Sequence, residues 1–101
     1  MIQKTSIGEK ILQIRNSEKL SRREMSELTG ISASNIKNYE LLGRQIPGEY
    51  LATILSLPRF SKYTLWLMTD KTSPESGQIA PALAHSGQES AESSQSEKKI
   101  G

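Results

Sequence analysis

Four small or polar residues lie within one short stretch of the chain, at spacings that place them on one side of a helix. They are Ala33, Ser34, Lys37 and Asn38, at positions i, i+1, i+4 and i+5, and none of them is acidic. Ser, Lys and Asn side chains can hydrogen-bond to base edges in the DNA major groove, and Ala can contact the thymine methyl group. The pattern predicts a surface that reads base pairs, and the alternative is a solvated helix face without a ligand.

Two short predicted helices, joined by a turn, position this polar face. Ser21 and Glu24 have the capping-box spacing, so the first of these helices is predicted to begin near Arg22. Met25 and Leu28 supply an apolar pair at i, i+3.

Gly30 suits the reversal between the two helices, because glycine tolerates a positive φ. Ser32 can cap the second helix, and Ile36 and Tyr39 give it an apolar stripe opposite the polar face. These intervals form the helix-turn-helix pattern, in which the second helix enters the major groove.

The stretch LSRREMSELTGISASNIKNYE, together with the later LWLMT, resembles the helix-turn-helix domain of the lambdoid phage repressor and Cro family of xenobiotic-response-element-like transcriptional regulators. The resemblance covers residues 5–70, with the motif itself at 22–41. Two features depart from the family pattern. Arg22 stands where the family usually has Gln, and residues 40–43 are one residue longer than the usual Glu-x-Gly. The resemblance implies an all-α, compact five-helix repressor-like domain that binds double-stranded operator DNA.

Three arginines flank the polar face and are predicted to contact phosphates while Lys37 and Asn38 carry sequence specificity. Arg22 and Arg23 begin the first motif helix. Arg44 follows the second, in a loop that runs beside the DNA backbone in the family, and the alternative for it is a free surface arginine.

Arg15 and Glu40 match positions where related repressors place an Arg–Glu ion pair. Such a bridge would pin the end of the second motif helix to the first helix of the domain. The alternative is an exposed Arg15 that touches phosphate, with Glu40 free.

The resemblance also implies a homodimer on a near-palindromic operator, with dimer contacts on the fifth helix and the loop before it, near Phe60. Repression would occlude a promoter and would need no cofactor.

A plasmid antitoxin or a restriction-system controller shares this fold, and the sequence does not separate these roles. An adaptor that binds proteins and not DNA is the alternative from another class. The chain ends before the self-cleavage domain of longer repressors, so control by self-cleavage is not expected.

The charge is distributed unevenly along the chain. Residues 1–71 hold 11 Lys and Arg against 7 Asp and Glu, whereas residues 72–101 hold 2 Lys against 4 Glu. The basic character therefore belongs to the predicted domain, as DNA binding requires. The chain has no Cys, no signal-peptide pattern and no apolar run long enough for a membrane span, which together predict a cytoplasmic protein. The DNA binding that the resemblance implies would make it nucleoid-associated.

Three further helices complete the predicted domain. The first runs from Ile7 to Glu18, with Ile7, Ile11 and Ile14 toward the core and Lys10, Gln13 and Lys19 toward solvent. The fourth has Pro47 at its first position and is ended by Pro58, with Leu51, Ile54 and Leu55 buried. The fifth, 62–69, starts after Ser61 and carries Leu65, Trp66 and Met68, with Trp66 in the core.

Residues 71–101 are predicted to form a disordered Ser- and Gln-rich tail. From residue 72 onward the chain has seven Ser, three Gln and no aromatic residue, so it has little apolar surface to offset the entropy of ordering. On this basis the removal of residues 76–101 should change neither stability nor DNA affinity.

An enzyme is not expected, because the residues that would carry catalysis are missing. His85 is the only His and lies in the predicted tail, Asp70 is the only Asp, and there is no Gly-rich phosphate loop. Neither a catalytic site nor a metal site is predicted.

Overall fold

A computed structural model describes residues 6–82 of the chain, which form short helices joined by turns and loops. The α-helices are α1 (Ile7–Ser17), α2 (Arg22–Thr29), α3 (Ala33–Leu42), α4 (Gly48–Ser56), α5 (Pro58–Ser61) and α6 (Thr64–Thr69), and a single 3₁₀ turn follows at Pro74–Ser76. The described residues contain no strand, so the predicted all-α class is confirmed. None of the helices in this range is long and apolar enough to cross a membrane.

Both predicted capping boxes are present at the starts of α1 and α2. The Glu9 amide donates to Ser6 Oγ and the Ser6 amide donates to Glu9 Oε1, each at 3.1 Å. The Glu24 amide donates to Ser21 Oγ at 3.0 Å, and the Ser21 amide donates to Glu24 Oε1 at 2.8 Å. Gly30 ends α2 with φ of 79°, the left-handed conformation that the tight turn requires.

The described residues contain six α-helices and not the five predicted. The additional helix is α5, which begins at Pro58, a residue that was predicted only to end the fourth helix. Proline suits the first helical position, where no backbone donor is needed, and α5 is a single turn that starts there. Ser61 closes α5 and does not start the last helix, which begins at Thr64. Pro47 lies just before α4 as its N-cap residue.

The core is formed by apolar side chains from every α-helix. The buried members are Ile11, Ile14, Met25, Ile31, Ile36, Tyr39, Ile46, Ile54, Phe60, Tyr63, Trp66 and Leu67. Trp66 is therefore a core residue, as predicted. Leu28 is largely exposed, so only Met25 of the predicted apolar pair in α2 is buried.

Helices α1 and α3 approach each other closely at Gly8. A Cβ atom built on Gly8 would lie 1.8 Å from the backbone oxygen of Tyr39 and 2.6 Å from its carbonyl carbon. No side chain fits at that separation, so the absence of one at Gly8 sets how closely α3 rests on α1.

Lys10 is buried, which corrects the prediction that it faces solvent. Only 5% of the residue is exposed. Its ammonium donates to the backbone oxygens of Trp66 and Leu67 at 3.4 and 3.3 Å, pairs with Asp70 and lies 5.2 Å from the centre of the Trp66 ring. The cation thereby satisfies carbonyl groups in the last turn of α6 and joins that helix to α1.

Residues 71–82 follow a defined path, so the prediction of a disordered tail is wrong for this part of it. Ser73 and Gln78 form an isolated antiparallel bridge, and the Ile79 amide donates to the Lys62 oxygen at 2.9 Å. Pro81 is fully buried, and the Ala82 amide donates to Ser17 Oγ at 3.0 Å. The rest of the predicted tail, residues 83–101, lies outside the described residues.

Candidate nucleic-acid interface

The outward side of α3 carries the four residues predicted to read bases. Ser34 and Lys37 are exposed, and Ala33 and Asn38 are half-buried at the edges of the face. Leu41 lies one turn beyond Lys37, is exposed, and extends this side of the helix, although it was not among the predicted residues. The opposite side of α3 is buried in the domain, so the four side chains form one surface whose only formal charge belongs to Lys37.

The start of α3 is fixed by hydrogen bonds within the turn. The Asn35 amide donates to Ser32 Oγ at 3.0 Å, which gives α3 the predicted N-cap. Thr29 Oγ1 donates to the Met25 backbone oxygen at 2.9 Å and accepts from the Ile31 amide at 3.1 Å. Because Ile31 is also buried, the angle between α2 and α3 is set by the turn itself.

The far end of α3 is tied to α1 by a buried ion pair. Arg15 Nε donates to Glu40 Oε2 at 2.8 Å, and Arg15 Nη2 donates to Glu40 Oε1 at 2.9 Å. Arg15 Nη1 donates to the Leu20 backbone oxygen at 2.8 Å. The exposed fraction is 9% for the Arg15 side chain and 0% for Glu40. The structure therefore brings Arg15 and Glu40 together in bidentate contact and does not leave Glu40 free.

A second arginine reaches the same carboxylate. Arg22 Nε donates to Glu40 Oε1 at 2.8 Å, while 33% of the Arg22 side chain stays exposed. We call Arg15, Arg22 and Glu40 the Glu40 cluster, and it joins α1, α2 and α3. Sequence reasoning assigned Arg22 only to phosphate, because 18 residues separate it from Glu40 and no local periodicity links the two positions.

The other two arginines that were predicted to contact phosphate lie apart from the Glu40 cluster. Arg23 has 87% of its side chain exposed, and its Nε lies 3.5 Å from a carboxylate oxygen of Glu27, one helical turn along α2. Arg44 is exposed in the loop after α3, and its backbone amide donates to the Asn38 oxygen at 3.5 Å. Within residues 6–82 its side chain forms no ion pair, so it is available to an external anion.

A separate polar cluster fixes the end of α1, three residues beyond Arg15. Glu18 Oε2 accepts from Tyr63 Oη at 2.7 Å and from Lys62 Nζ at 3.0 Å. Arg59 Nε donates to Glu18 Oε1, and Arg59 Nη2 donates to the Glu18 backbone oxygen, each at 2.9 Å. We call these four residues the Glu18 cluster. No local pattern in the sequence indicates the Glu18 cluster, because Glu18 is distant along the chain from its three partners.

The contacts in the Glu18 cluster shift the protonation equilibria of two of its members. Burial acts to raise the pKa of Glu18, but hydrogen bonds from Tyr63, Lys62 and Arg59 outweigh it and hold the pKa below 4.5. Burial, together with the hydrogen bond to Glu18, raises the pKa of Tyr63 to about 12. At neutral pH the carboxylate is therefore charged and the phenol is protonated.

The residue proposed to mark the dimer contact does not lie on the surface. Phe60 is fully buried in the core, because α5 turns it inward between its neighbours. Its side chain is therefore not available to a second copy of the chain, and the prediction of dimer contacts on the last helix and the loop before it, near Phe60, stays a prediction that other side chains of this region would have to satisfy. Met68 is the large apolar residue of α6 that is exposed.

The described residues contain no group of three or more His, Cys, Asp or Glu side chains that could hold a metal ion. His85, the only His of the chain, lies outside the described residues.

One known protein is similar to the chain over almost its whole length. It is the Repressor protein C of Escherichia phage P2, which is 46% identical over 96 residues, covering 95% of this chain and 97% of the relative. No protein-family model matches the chain.

Proposed function

This chain belongs to the family of the phage repressor C proteins, and from that premise we propose that it represses transcription by binding double-stranded operator DNA in a sequence-dependent manner. Family membership makes it a phage repressor-type regulator of transcription. The DNA contact, the residues that make it and the dimer are our proposal.

The observation that carries the proposal is the polar face of α3, which has no acidic group. The opposite side of α3 is buried in the domain, and the Arg15–Glu40 pair joins it to α1. Ser34 and Lys37 project from the polar face, and its acidic neighbour Glu40 is turned inward and neutralised by Arg15. A helix that must enter a groove lined with phosphates needs this separation, because an exposed carboxylate there would be repelled by the DNA.

The roles of the individual residues follow from their positions. Base edges would be read by the outward face, namely Ala33, Ser34, Lys37 and Asn38. Phosphates would be contacted by Arg22 and Arg23 at the start of α2 and by Arg44 after α3, and these contacts would supply affinity without sequence information. No catalytic step and no cofactor are needed for such a regulator.

We further propose that the protein acts as a homodimer that occludes a promoter in the cytoplasm, at the nucleoid. Two copies related by a two-fold axis would place their α3 helices about one DNA turn apart on a near-palindromic site. The exposed Met68 makes the α6 region a candidate for the contact between copies, in place of the buried Phe60.

The experiment that tests DNA binding is selection from a randomised duplex library, followed by affinity measurements over a range of salt concentrations. A DNA-binding repressor should enrich one sequence, and its affinity should fall steeply with salt because counterions are released from the phosphates. Failure to enrich any sequence, with weak and salt-insensitive binding to all duplexes, would overturn the proposal.

A protein-interaction adaptor that keeps the fold is the second candidate, and one observation favours it. Leu41 and Leu42 are adjacent, and both are exposed at the end of α3. Apolar side chains at that position could dock on a protein partner as readily as on DNA. The same library selection separates the two functions, because an adaptor would enrich no DNA sequence.

A further inference from the structure

Glu40 accepts hydrogen bonds from two arginines, although one is enough to satisfy it. Arg15 binds both of its oxygens, at 2.8 and 2.9 Å, and this pair is almost completely buried. Arg22 adds a further hydrogen bond at 2.8 Å to Oε1, an oxygen that Arg15 already occupies. Arg15 alone is therefore enough to neutralise the charge of the Glu40 carboxylate.

The Glu40 cluster therefore carries an excess positive charge. Two guanidinium groups share one carboxylate, and the repulsion between like charges opposes their close approach. Arg22 is the member that solvent reaches, with 33% of its side chain exposed against 9% for Arg15 and 0% for Glu40. An anion that completed the charge balance would have to arrive at Arg22.

Arg22 also has unused donors of suitable geometry. It contacts Glu40 through Nε alone, and within residues 6–82 its two terminal nitrogens have no hydrogen-bond partner. A guanidinium is planar and rigid, so fixing Nε fixes the plane in which the terminal nitrogens can donate. Such an edge matches two oxygens of one phosphate.

We propose that Arg22 is a positioning residue that couples a DNA backbone phosphate to the orientation of α3 through Glu40. The inference rests on the proposed DNA binding and adds a specificity role to a residue that touches no base. Phosphate on the outer edge of Arg22 balances the excess charge and fixes the guanidinium between two anions, so α3 is held at one angle relative to the backbone. Sequence discrimination then depends on Arg22 as well as on the reading face.

The matched pair of substitutions Arg22→Lys and Arg23→Lys tests the coupling. Both keep a positive charge at the start of α2, but within residues 6–82 Arg23 pairs with exposed Glu27 and not with Glu40. The ammonium of a lysine cannot hold a carboxylate and a phosphate in one plane. Affinity is measured for the duplex that the wild-type protein enriches from a random library and for an unrelated duplex of the same length.

Arg22→Lys should lower the ratio of the two affinities by about tenfold, the scale of one lost base discrimination, and leave the salt slope unchanged. Arg23→Lys should leave the ratio within about twofold. In a Glu40→Gln background, Arg22→Lys should have no further effect on the ratio, because the coupling is already broken. Thermal unfolding of each variant verifies that it is folded at the assay temperature.

Equal loss of affinity for both duplexes in Arg22→Lys would reduce Arg22 to an ordinary phosphate contact and overturn the inference. Unchanged affinity for both duplexes would remove Arg22 from the interface and do the same. A wild-type protein that enriches no duplex would overturn the proposed function itself, so the two failures are distinguishable.

Discussion

Among single residues of the site, Glu40 has its ionised side chain completely removed from solvent, which carries a large desolvation cost. Removing a carboxylate from water is unfavourable by several kcal/mol unless charge and hydrogen bonds compensate for it. Arg15 provides both, with two parallel hydrogen bonds to a side chain that is 0% exposed. Loss of Arg15 leaves the carboxylate with only the single hydrogen bond from Arg22, and loss of the Glu40 charge leaves the buried Arg15 guanidinium without its anion, so the pair should act as one energetic unit.

A double-mutant cycle with Arg15→Met and Glu40→Gln tests this unit. Each single variant should lower the free energy of unfolding by about 3–5 kcal/mol, and the double variant should be less damaged than their sum. The control cycle uses Arg23→Met and Glu27→Gln, an exposed pair one turn apart on α2, whose coupling should be about 0.5 kcal/mol or less. Additive effects in the Arg15–Glu40 cycle, measured by denaturant unfolding, would contradict the assignment.

Specificity and affinity should separate between Asn38 and Arg44. Asn38→Ala should relax preference at one or two base pairs and cost about 1–3 kcal/mol there, because its amide belongs to the face of α3 that we propose reads base edges. Arg44→Ala should weaken binding to all sequences alike and reduce the salt slope by about one unit. Library selection with each variant measures both effects, and an unchanged base preference for Asn38→Ala would mean that the reading face is assigned wrongly.

At the scale of the elements, the contact between α1 and α3 depends on a missing side chain. Gly8→Ala would place a Cβ atom 1.8 Å from the Tyr39 backbone oxygen, and backbone cannot move aside as a side chain can. The two helices must separate, at a cost of about 1–3 kcal/mol or more. Operator affinity should fall as well, because α3 carries the proposed reading face.

Gly48→Ala is the matched control for Gly8→Ala. A Cβ atom at Gly48 meets nothing within 4 Å, and this residue begins α4 without a positive φ. The substitution should be neutral or stabilising by up to about 1 kcal/mol. If the two variants lost stability equally in thermal unfolding, the close approach at Gly8 would not be the cause.

The Glu18 cluster should make the docking of α1 on α5 and α6 sensitive to acid. The pKa of Glu18 is lower in the folded chain than its ordinary 4.5, so its contribution to stability is complete above that value and is lost as the pH falls below it. Glu18→Gln should therefore flatten the acid limb of the stability curve. Glu75→Gln is the control, because Glu75 is exposed and forms no ion pair within residues 6–82. Acid limbs of equal slope in wild type and Glu18→Gln would show that Glu18 does not contribute.

Local patterns predicted the starts of α1, α2 and α3, because capping residues and helical stripes are encoded within a few residues. The approach of Gly8 to α3, the burial of Lys10 and the contacts of Glu18 could not be predicted in this way. Each depends on a partner far along the chain, and a single sequence has no periodicity that links such positions. Composition misled at Gln78, whose polar amide is used inside the fold and not in solvent.

Across the folded domain as a unit, residues 73–82 form contacts that join α5 and α6 to the end of α1. Gln78 Oε1 accepts from the Leu65 amide at 2.9 Å, which satisfies a donor in the first turn of α6, and its Nε2 donates to the Ser61 oxygen at 3.0 Å. Pro81 is fully buried nearby along the chain. These contacts restrict the prediction of removal without effect to residues 83–101, so the boundary of that prediction lies after Ala82.

Two truncated chains test that boundary. A chain that ends at Thr72 loses the Gln78 hydrogen bonds and the buried Pro81, and leaves the Leu65 amide without its partner. Each lost hydrogen bond costs about 0.5–1.5 kcal/mol, so the loss of both Gln78 bonds should lower the thermal midpoint by roughly 10 °C for a domain of this size. A chain that ends at Ala82 keeps every one of these contacts and should match the midpoint of the full chain.

Equal midpoints for the two truncated chains would show that residues 73–82 do not stabilise the fold, and a large fall for the chain ending at Ala82 would place the stabilising contacts farther along. Because the segment lies on α5, α6 and the end of α1, the loss in the shorter chain should appear in stability first and reach operator affinity only through partial unfolding.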